Sequence, residues 1–349
     1  MLSKSSSLLC CLLVLLGTTG FGPPAFGTGE PFAAPLGSSD LAALATAPSV
    51  PTAVTAAAAT IVSASDGHAL VSRNADIRLA PASLTKLMTA LVALDRASLD
   101  RPIYATERSR TEPAVIGLDP GDVLSLEDIL YGLLLVSGND AALAIAETVG
   151  DGSITQFVAW MNQRASTMGL RNTHFMNPHG LDQEGHYSSA NDMAEVARAA
   201  FAEPRLARIL STNRHVVPGP PLYLFTATNP LLGVYPGLDA GKTGFTDAAG
   251  RCLVAAATRD GQRLISVVLN SPDISRETTL LLDAGFAMTR RVGLLPTYTG
   301  FAGVRPGPLA TDVPALSLAG WEAPFIRTYT ARGRITMWMP GWPMGSWAQ

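Results

Sequence analysis

At 349 residues, 47% hydrophobic and 15% charged, the chain carries enough apolar material for a sizeable core, in one large domain or two of ordinary size, which excludes a disordered polymer. A formal charge of −3, with neither a basic block nor an acidic tail, gives no indication of nucleic acid or a strongly anionic surface as partner.

Residues 1–27 read as a secretory signal: Lys4 starts it, Leu8 to Leu16 form its apolar segment, and Ala25-Phe26-Gly27 offers a small-x-small cleavage site. The expected location is therefore outside the cytoplasm, periplasmic or extracytoplasmic. Cys10 and Cys11 fall inside that segment, so the exported chain keeps Cys252 alone, as a small buried apolar residue, and forms no internal disulfide. Residues 28–54, rich in Gly, Ala, Pro, Ser and Thr without a period, read as a flexible tether.

The folded body is expected over 55–290. Ala58 to Val62 and Ala69 to Val71, around Ser65-Asp66-Gly67, read as an antiparallel hairpin. An apolar helix follows from Leu84 to Leu94. Ser125-Leu126-Glu127-Asp128 resembles a capping box opening a helix that runs to Val136 and halts at Ser137-Gly138-Asn139; a second helix starts at Asp140. Ser153 to Met168 is amphipathic, with Ile154, Phe157, Val158 and Met161 on one face and Gly169 as its stop. Residues 172–187 are loop-like, before helices near 190–201 and 204–210. Beyond Gly241 the period becomes that of a strand. Arg251 to Thr258 and Arg263 to Leu269 form a long hairpin, apolar enough to be central in a sheet, and a final helix runs from Ile274 to Thr289. Strands at both ends of the body with helices between them predict an α+β fold: one mostly antiparallel sheet with packed helices and an inserted helical lobe, a site lying in the groove between. Residues 291–349, rich in Pro and Gly, hold four of the five tryptophans, at 321, 338, 342 and 347. They read as a small appendage, with tryptophans at a membrane interface as the alternative.

Three short motifs carry the chemistry. In Pro81-Ala82-Ser83-Leu84-Thr85-Lys86, helical spacing sets Lys86 one turn from Ser83, a base beside a nucleophile. The amine serves as a base only when neutral, which burial or a second cation would favour. Asn139, on the turn between two helices, offers an amide to a peptide backbone. Lys242-Thr243-Gly244 places a second cation, a hydroxyl donor for a carboxylate, and a position without a Cβ on one strand.

Together these motifs resemble the set shared by serine β-lactamases and penicillin-binding proteins. The similarity is closest to low-molecular-mass penicillin-binding proteins acting as D-alanyl-D-alanine carboxypeptidases. It covers Ala58 to Thr289 and includes Arg78 to Ala90, Ser137 to Ala141, Asn177-Pro178-His179-Gly180-Leu181 and Gly241 to Thr246. The resemblance implies a β-lactamase/DD-peptidase-like fold and a set of roles. Ser83 is acylated with Lys86 as base, Ser137 passes a proton to the departing amine, Asn139 holds the substrate amide, and Lys242 with Thr243 receives the terminal carboxylate. Gly244 admits the substrate, the N–H groups of Ser83 and Phe245 form an oxyanion hole, and Arg276 aligns, across a one-residue gap, with an arginine near the carboxylate. Implied partners are peptidoglycan stem peptides, with β-lactams as covalent inhibitors; no cofactor or metal is required, and membrane attachment stays open.

Four rival readings accompany this one. His174, His179, His186 and Asp182 can be arranged as zinc ligands, although no H-E-x-x-H pair exists. Glu203-Pro204-Arg205-Leu206 resembles the water-activating glutamate motif of a class A β-lactamase, with Ala207 where an asparagine is expected. The others are a DD-endopeptidase cutting cross-links and a cell-wall binding module that has lost the chemistry.

Overall fold

The computed structural model describes residues 50–219 and 221–293. The signal segment, most of the tether and nearly all of the Trp-rich appendage lie outside them.

A strand pair and a three-strand meander from opposite ends of the body build the central sheet. β1 (Ala58–Ser63) and β2 (Ala69–Arg73) form the expected N-terminal hairpin. β7 (Leu238–Thr246), β8 (Gly250–Arg259) and β9 (Gln262–Ser271) form the C-terminal meander. β1 pairs antiparallel with β9, so the order is β2-β1-β9-β8-β7, with β8 and β9 interior and β7 on an edge. Both faces are covered, which is why the interior strands read as apolar runs. On β8, Cys252, Val254 and Ala256 join the larger core while Leu253, Ala255 and Ala257 face the smaller one, as a period of two requires. The smaller core is closed by α7 (Ile274–Gly293) through Leu281, Leu282 and Phe286. Val54, assigned by sequence to the tether, is buried in that core, and Glu277 accepts hydrogen bonds from the backbone of Thr55 and Ala56. The ordered body thus starts earlier than its composition indicates.

On the other face lies the helical lobe. Its centre is α1 (Thr85–Arg96), in which every residue from Thr85 to Leu94 is buried. A helix enclosed on all sides holds its N-terminal residues rigidly, and Ser83 sits on the single 3₁₀ turn, Ala82–Leu84, that leads into it. Around α1 pack α3 (Asn139–Val149), α4 (Ile154–Thr167) and α5 (Ala190–Ala202). Serine caps open α4 and α5, and Glu203 with Pro204 in the first turn opens α6 (Pro204–Leu210).

Two features differ from the sequence reading. The ribbon β3–β4 (Pro102–Tyr104 with Val123–Ser125) has no counterpart in the sequence reading, and of β5–β6 (Arg214–Val217 with Tyr223–Thr226) only His215 reads as a strand residue, because strands of three or four residues are too short to show alternation. The helix expected to run to Val136 is α-helical only over Leu126–Tyr131 (α2); Gly132–Val136 widens into a π turn that ends in Ser137 at φ +71°. Such one-turn π segments recur beside functional sites, where they redirect the chain.

Candidate active site

Three pieces of backbone converge on Ser83: the head of α1, the Ser137–Asn139 turn and edge strand β7. Lys86 Nζ lies 2.9 Å from Ser83 Oγ, as one helical turn predicts. The amine is fully buried and has two further neighbours, both acceptors: Asn139 Oδ1 at 2.7 Å and the His179 carbonyl at 2.7 Å. Asn139 Nδ2 donates to Pro113 O, which fixes the amide so that its oxygen faces Lys86. A neutral amine has two N–H groups and one lone pair. With both N–H groups directed to carbonyl oxygens, the lone pair is left for the Ser83 hydroxyl.

The electrostatics favour that state. Burial pushes the Lys86 pKa well below its ordinary value, the Lys242 charge lowers it further, and the Asp140 carboxylate opposes both. Burial also brings Lys242 down, to about 7. Lys242 Nζ donates to Ser137 Oγ at 2.9 Å and to Thr243 O at 2.8 Å, so this amine stands behind Ser137 and is not open to the groove. That qualifies its expected part in receiving a carboxylate: the group exposed at that end is the Thr243 hydroxyl, 2.8 Å from Thr228 Oγ1.

Gly244 has a purpose that sequence alone did not reveal. A Cβ there would lie 3.1 Å from Ser83 N, 3.1 Å from the Ala82 methyl and 3.3 Å from Pro81 O. Its absence lets β7 close onto the turn carrying Ser83, bringing the Ser83 and Phe245 backbones to one end of the groove. Phe245 itself is 62% exposed. Arg276, in the first turn of α7, is exposed. Its N–H donates to Asp273, and among the described contacts its side chain has none with the site.

Several supporting groups escaped the sequence reading. The Asn177–Leu181 loop aims the His179 carbonyl: Gly180 N donates to Asn177 Oδ1 at 2.7 Å, and Thr89 Oγ1 donates to Pro178 O at 2.6 Å. Gly180, at φ +91°, packs so tightly that a Cβ would stand 1.9 Å from Ala82 O. Asp182 ties the loop to β7 by accepting from Thr246 Oγ1 and Ala248 N. Asp140 accepts N–H bonds from Ile116, Gly117, Leu118 and Ala141, holding the segment whose Pro113 carbonyl orients Asn139. The Asn-Pro-His-Gly-Leu string was the visible signal for the first of these. A carbonyl's aim has no signature of its own.

The ring nitrogens considered as zinc ligands have other partners. Met176 N–H donates to His186 Nδ1, so the proton sits on Nε2 and is directed to Thr85 Oγ1 at 2.9 Å. Leu181 N donates to His179 Nδ1, and His174 Nδ1 lies 2.8 Å from Gly185 O. Burial lowers the pKa of His186 to about 4 and that of His179 to about 3, so both rings are neutral at pH 7. Glu203 caps α6 and binds the Arg205 guanidinium, an arrangement unlike that of a carboxylate poised on a hydrolytic water.

The chain is similar to several known proteins. D-alanyl-D-alanine carboxypeptidase DacF of Bacillus subtilis is 36% identical over 245 residues, 66% of this chain and 62% of the relative. DacB2 of Mycobacterium tuberculosis is 37% identical over 232 residues, 64% of this chain and 79% of the relative. The chain therefore spans somewhat under two thirds of the Bacillus relative's length. A crystal structure of a D-alanyl-D-alanine carboxypeptidase from Mycobacterium tuberculosis superposes with a TM-score of 0.65 at 34% identity, covering 70% of this chain and 95% of that one. A Streptomyces DD-transpeptidase superposes with a TM-score of 0.64 at 30% identity, covering 68% and 98%. Residues 44–273 match the D-alanyl-D-alanine carboxypeptidase family, an α+β family of serine peptidases, and the chain belongs to it.

Proposed function

We propose that this chain is a serine-type D-Ala-D-Ala carboxypeptidase acting on peptidoglycan stem peptides outside the cytoplasm, to which residues 1–27 direct it. The observation that carries the reading is the Lys86 amine, buried, with its N–H groups directed to Asn139 and His179 and its lone pair left for Ser83.

Ser83 Oγ attacks the carbonyl carbon between the last two D-alanines while its proton passes to Lys86. The oxyanion is held by the N–H groups of Ser83 and Phe245, each such donor typically worth ~3 kcal/mol in the transition state. The proton reaches the departing amine through Ser137, whose oxygen is held by Lys242. The C–N bond breaks, D-alanine leaves, and water attacks the Ser83 ester to release the shortened peptide and restore the hydroxyl. Thr243 receives the terminal carboxylate. Lys242 supplies a cation close to both Ser137 and that carboxylate. β-Lactams present the same acyl group and carboxylate and acylate Ser83 in the same way. Transfer of the acyl group to an amine is a second reading, favoured by the likeness to a solved DD-transpeptidase.

The test compares the purified protein with its Ser83→Ala variant for D-alanine release from a D-Ala-D-Ala pentapeptide, with and without an added amine acceptor, and for turnover of penicillin. Release by the wild type alone, with a lasting penicillin adduct on Ser83, is the expected result. Rapid penicillin turnover with the pentapeptide intact would establish a β-lactamase instead, and cleavage of cross-linked dimers only would establish an endopeptidase.

A further inference from the structure

One hydroxyl at the carboxylate end of the cleft has no part in the scheme above. Thr228, in the loop after β6, places its Oγ1 2.8 Å from Thr243 Oγ1. Its backbone N–H donates to Leu135 O at 3.0 Å, and its hydroxyl lies 3.2 Å from that same oxygen. The loop is also seated on β7 one residue further along. Asn229 Nδ2 approaches Gly241 so closely that a Cβ there would be 2.4 Å from it. Thr228 therefore joins the π turn leading to Ser137, the loop after β6, and the strand carrying Lys242 and Thr243.

We infer that Thr228 is a positioning residue for the substrate's terminal carboxylate: its hydroxyl stands behind that of Thr243 and, by turning its own proton, aims Thr243 at the anion. The inference rests on the carboxypeptidase reading and deepens it. Two hydroxyls bring two protons. In the free protein one is directed to Leu135 O and the other lies between the two oxygens. A carboxylate accepts only. When one reaches Thr243, the Thr243 proton turns to it, and the Thr228 proton turns from Leu135 O to a lone pair on Thr243 Oγ1. Leu135 O is not orphaned, because the Thr228 N–H still donates to it. The resulting chain, Thr228 to Thr243 to carboxylate, polarises the last bond more than a lone hydroxyl would.

The experiment uses Thr228→Val, which keeps the β-branched shape and removes the hydroxyl, and Thr228→Ser, which restores it. Each is assayed on diacetyl-Lys-D-Ala-D-Ala and on the same tripeptide ending in an amide. In Thr228→Val, kcat/KM for the free acid is expected to fall about 3- to 10-fold, mostly through KM, the effect of losing one hydroxyl–hydroxyl hydrogen bond. The amide should be unaffected, and Thr228→Ser should return the free acid to within about twofold, as a retained donor predicts. Equal losses on both substrates would mean that Thr228 only supports the loop, and no loss would mean that Thr243 needs no partner; either result overturns the inference while leaving the carboxypeptidase reading intact. A wild type that cleaves neither tripeptide and forms no penicillin adduct would overturn both.

Discussion

Replacing Lys242 with methionine should destroy activity and, at pH 6, raise stability. The side chain is 1% exposed and its amine is held down to about pKa 7, against 10.5 for a solvated lysine. Between those two values the unfolded chain binds more protons than the folded one, so stability rises with pH across that window. Below pH 7 the full difference opposes folding; at ~1.4 kcal/mol per unit it comes to about 5 kcal/mol. Methionine removes that cost, but also removes the hydrogen bonds to Ser137 Oγ and Thr243 O, worth about 1 kcal/mol each. The net expectation is a variant about 3 kcal/mol more stable at pH 6, a shift of roughly 1–2 M in urea midpoint. At pH 9 the cost has shrunk to about 2 kcal/mol and the midpoints should coincide. Urea unfolding followed by far-UV circular dichroism at the two pH values makes the comparison. If the variant is destabilised equally at both, Lys242 titrates like a solvated lysine, and the claim that burial lowers its pKa is refuted.

Two further outcomes are expected. In Lys242→Gln the Lys86 amine loses a cationic neighbour but stays buried, so its pKa rises part of the way back. The acid limb of penicillin acylation against pH should then move to higher pH, with about a tenfold loss of rate per unit at a fixed pH below it; an unmoved limb would assign the whole depression to burial. Gly180→Ala puts a methyl against Ala82 O in a backbone region that suits glycine. It should cost about 2–4 kcal/mol of stability and slow Ser83 acylation at least about tenfold, read by thermal unfolding and fluorescent-penicillin labelling. Acylation at the wild-type rate would show that the His179 carbonyl is not what orients Lys86.

Much of this site could be seen in the sequence, because its residues sit where local rules place them. Ser83 and Lys86 are one turn apart on a helix announced by its apolar run; Asn139 sits where two helices break; Lys242 and Thr243 are on a strand whose partner hairpin is marked by Asp260-Gly261. Groups acting through a backbone atom or an enclosed charge could not be seen. The His179 carbonyl, the Asp140 carboxylate with its backbone donors, and the Thr228–Thr243 pair depend on which segments meet in space. The π turn was missed for a simpler reason. Gly132-Leu133-Leu134-Leu135-Val136 is apolar throughout, and a run without polar punctuation reads the same at 3.6 as at a wider period. Lys242 was expected to face the substrate because its motif neighbours do, but burial turned its amine to Ser137.

The order of strands also sets a timetable. β1 is among the first parts of the body to be made, yet its partner β9 is synthesised about 200 residues later, a delay of ~10–40 s at ordinary translation rates. The head of α1, the Ser137 turn and β7 all lie between those two strands in sequence. Until β9 arrives the sheet has no centre, and Lys86 is then an ordinary, protonated lysine beside an ordinary serine. The nucleophile is armed by enclosure, so a growing chain is expected to stay unreactive towards acylating agents until β9 completes the sheet.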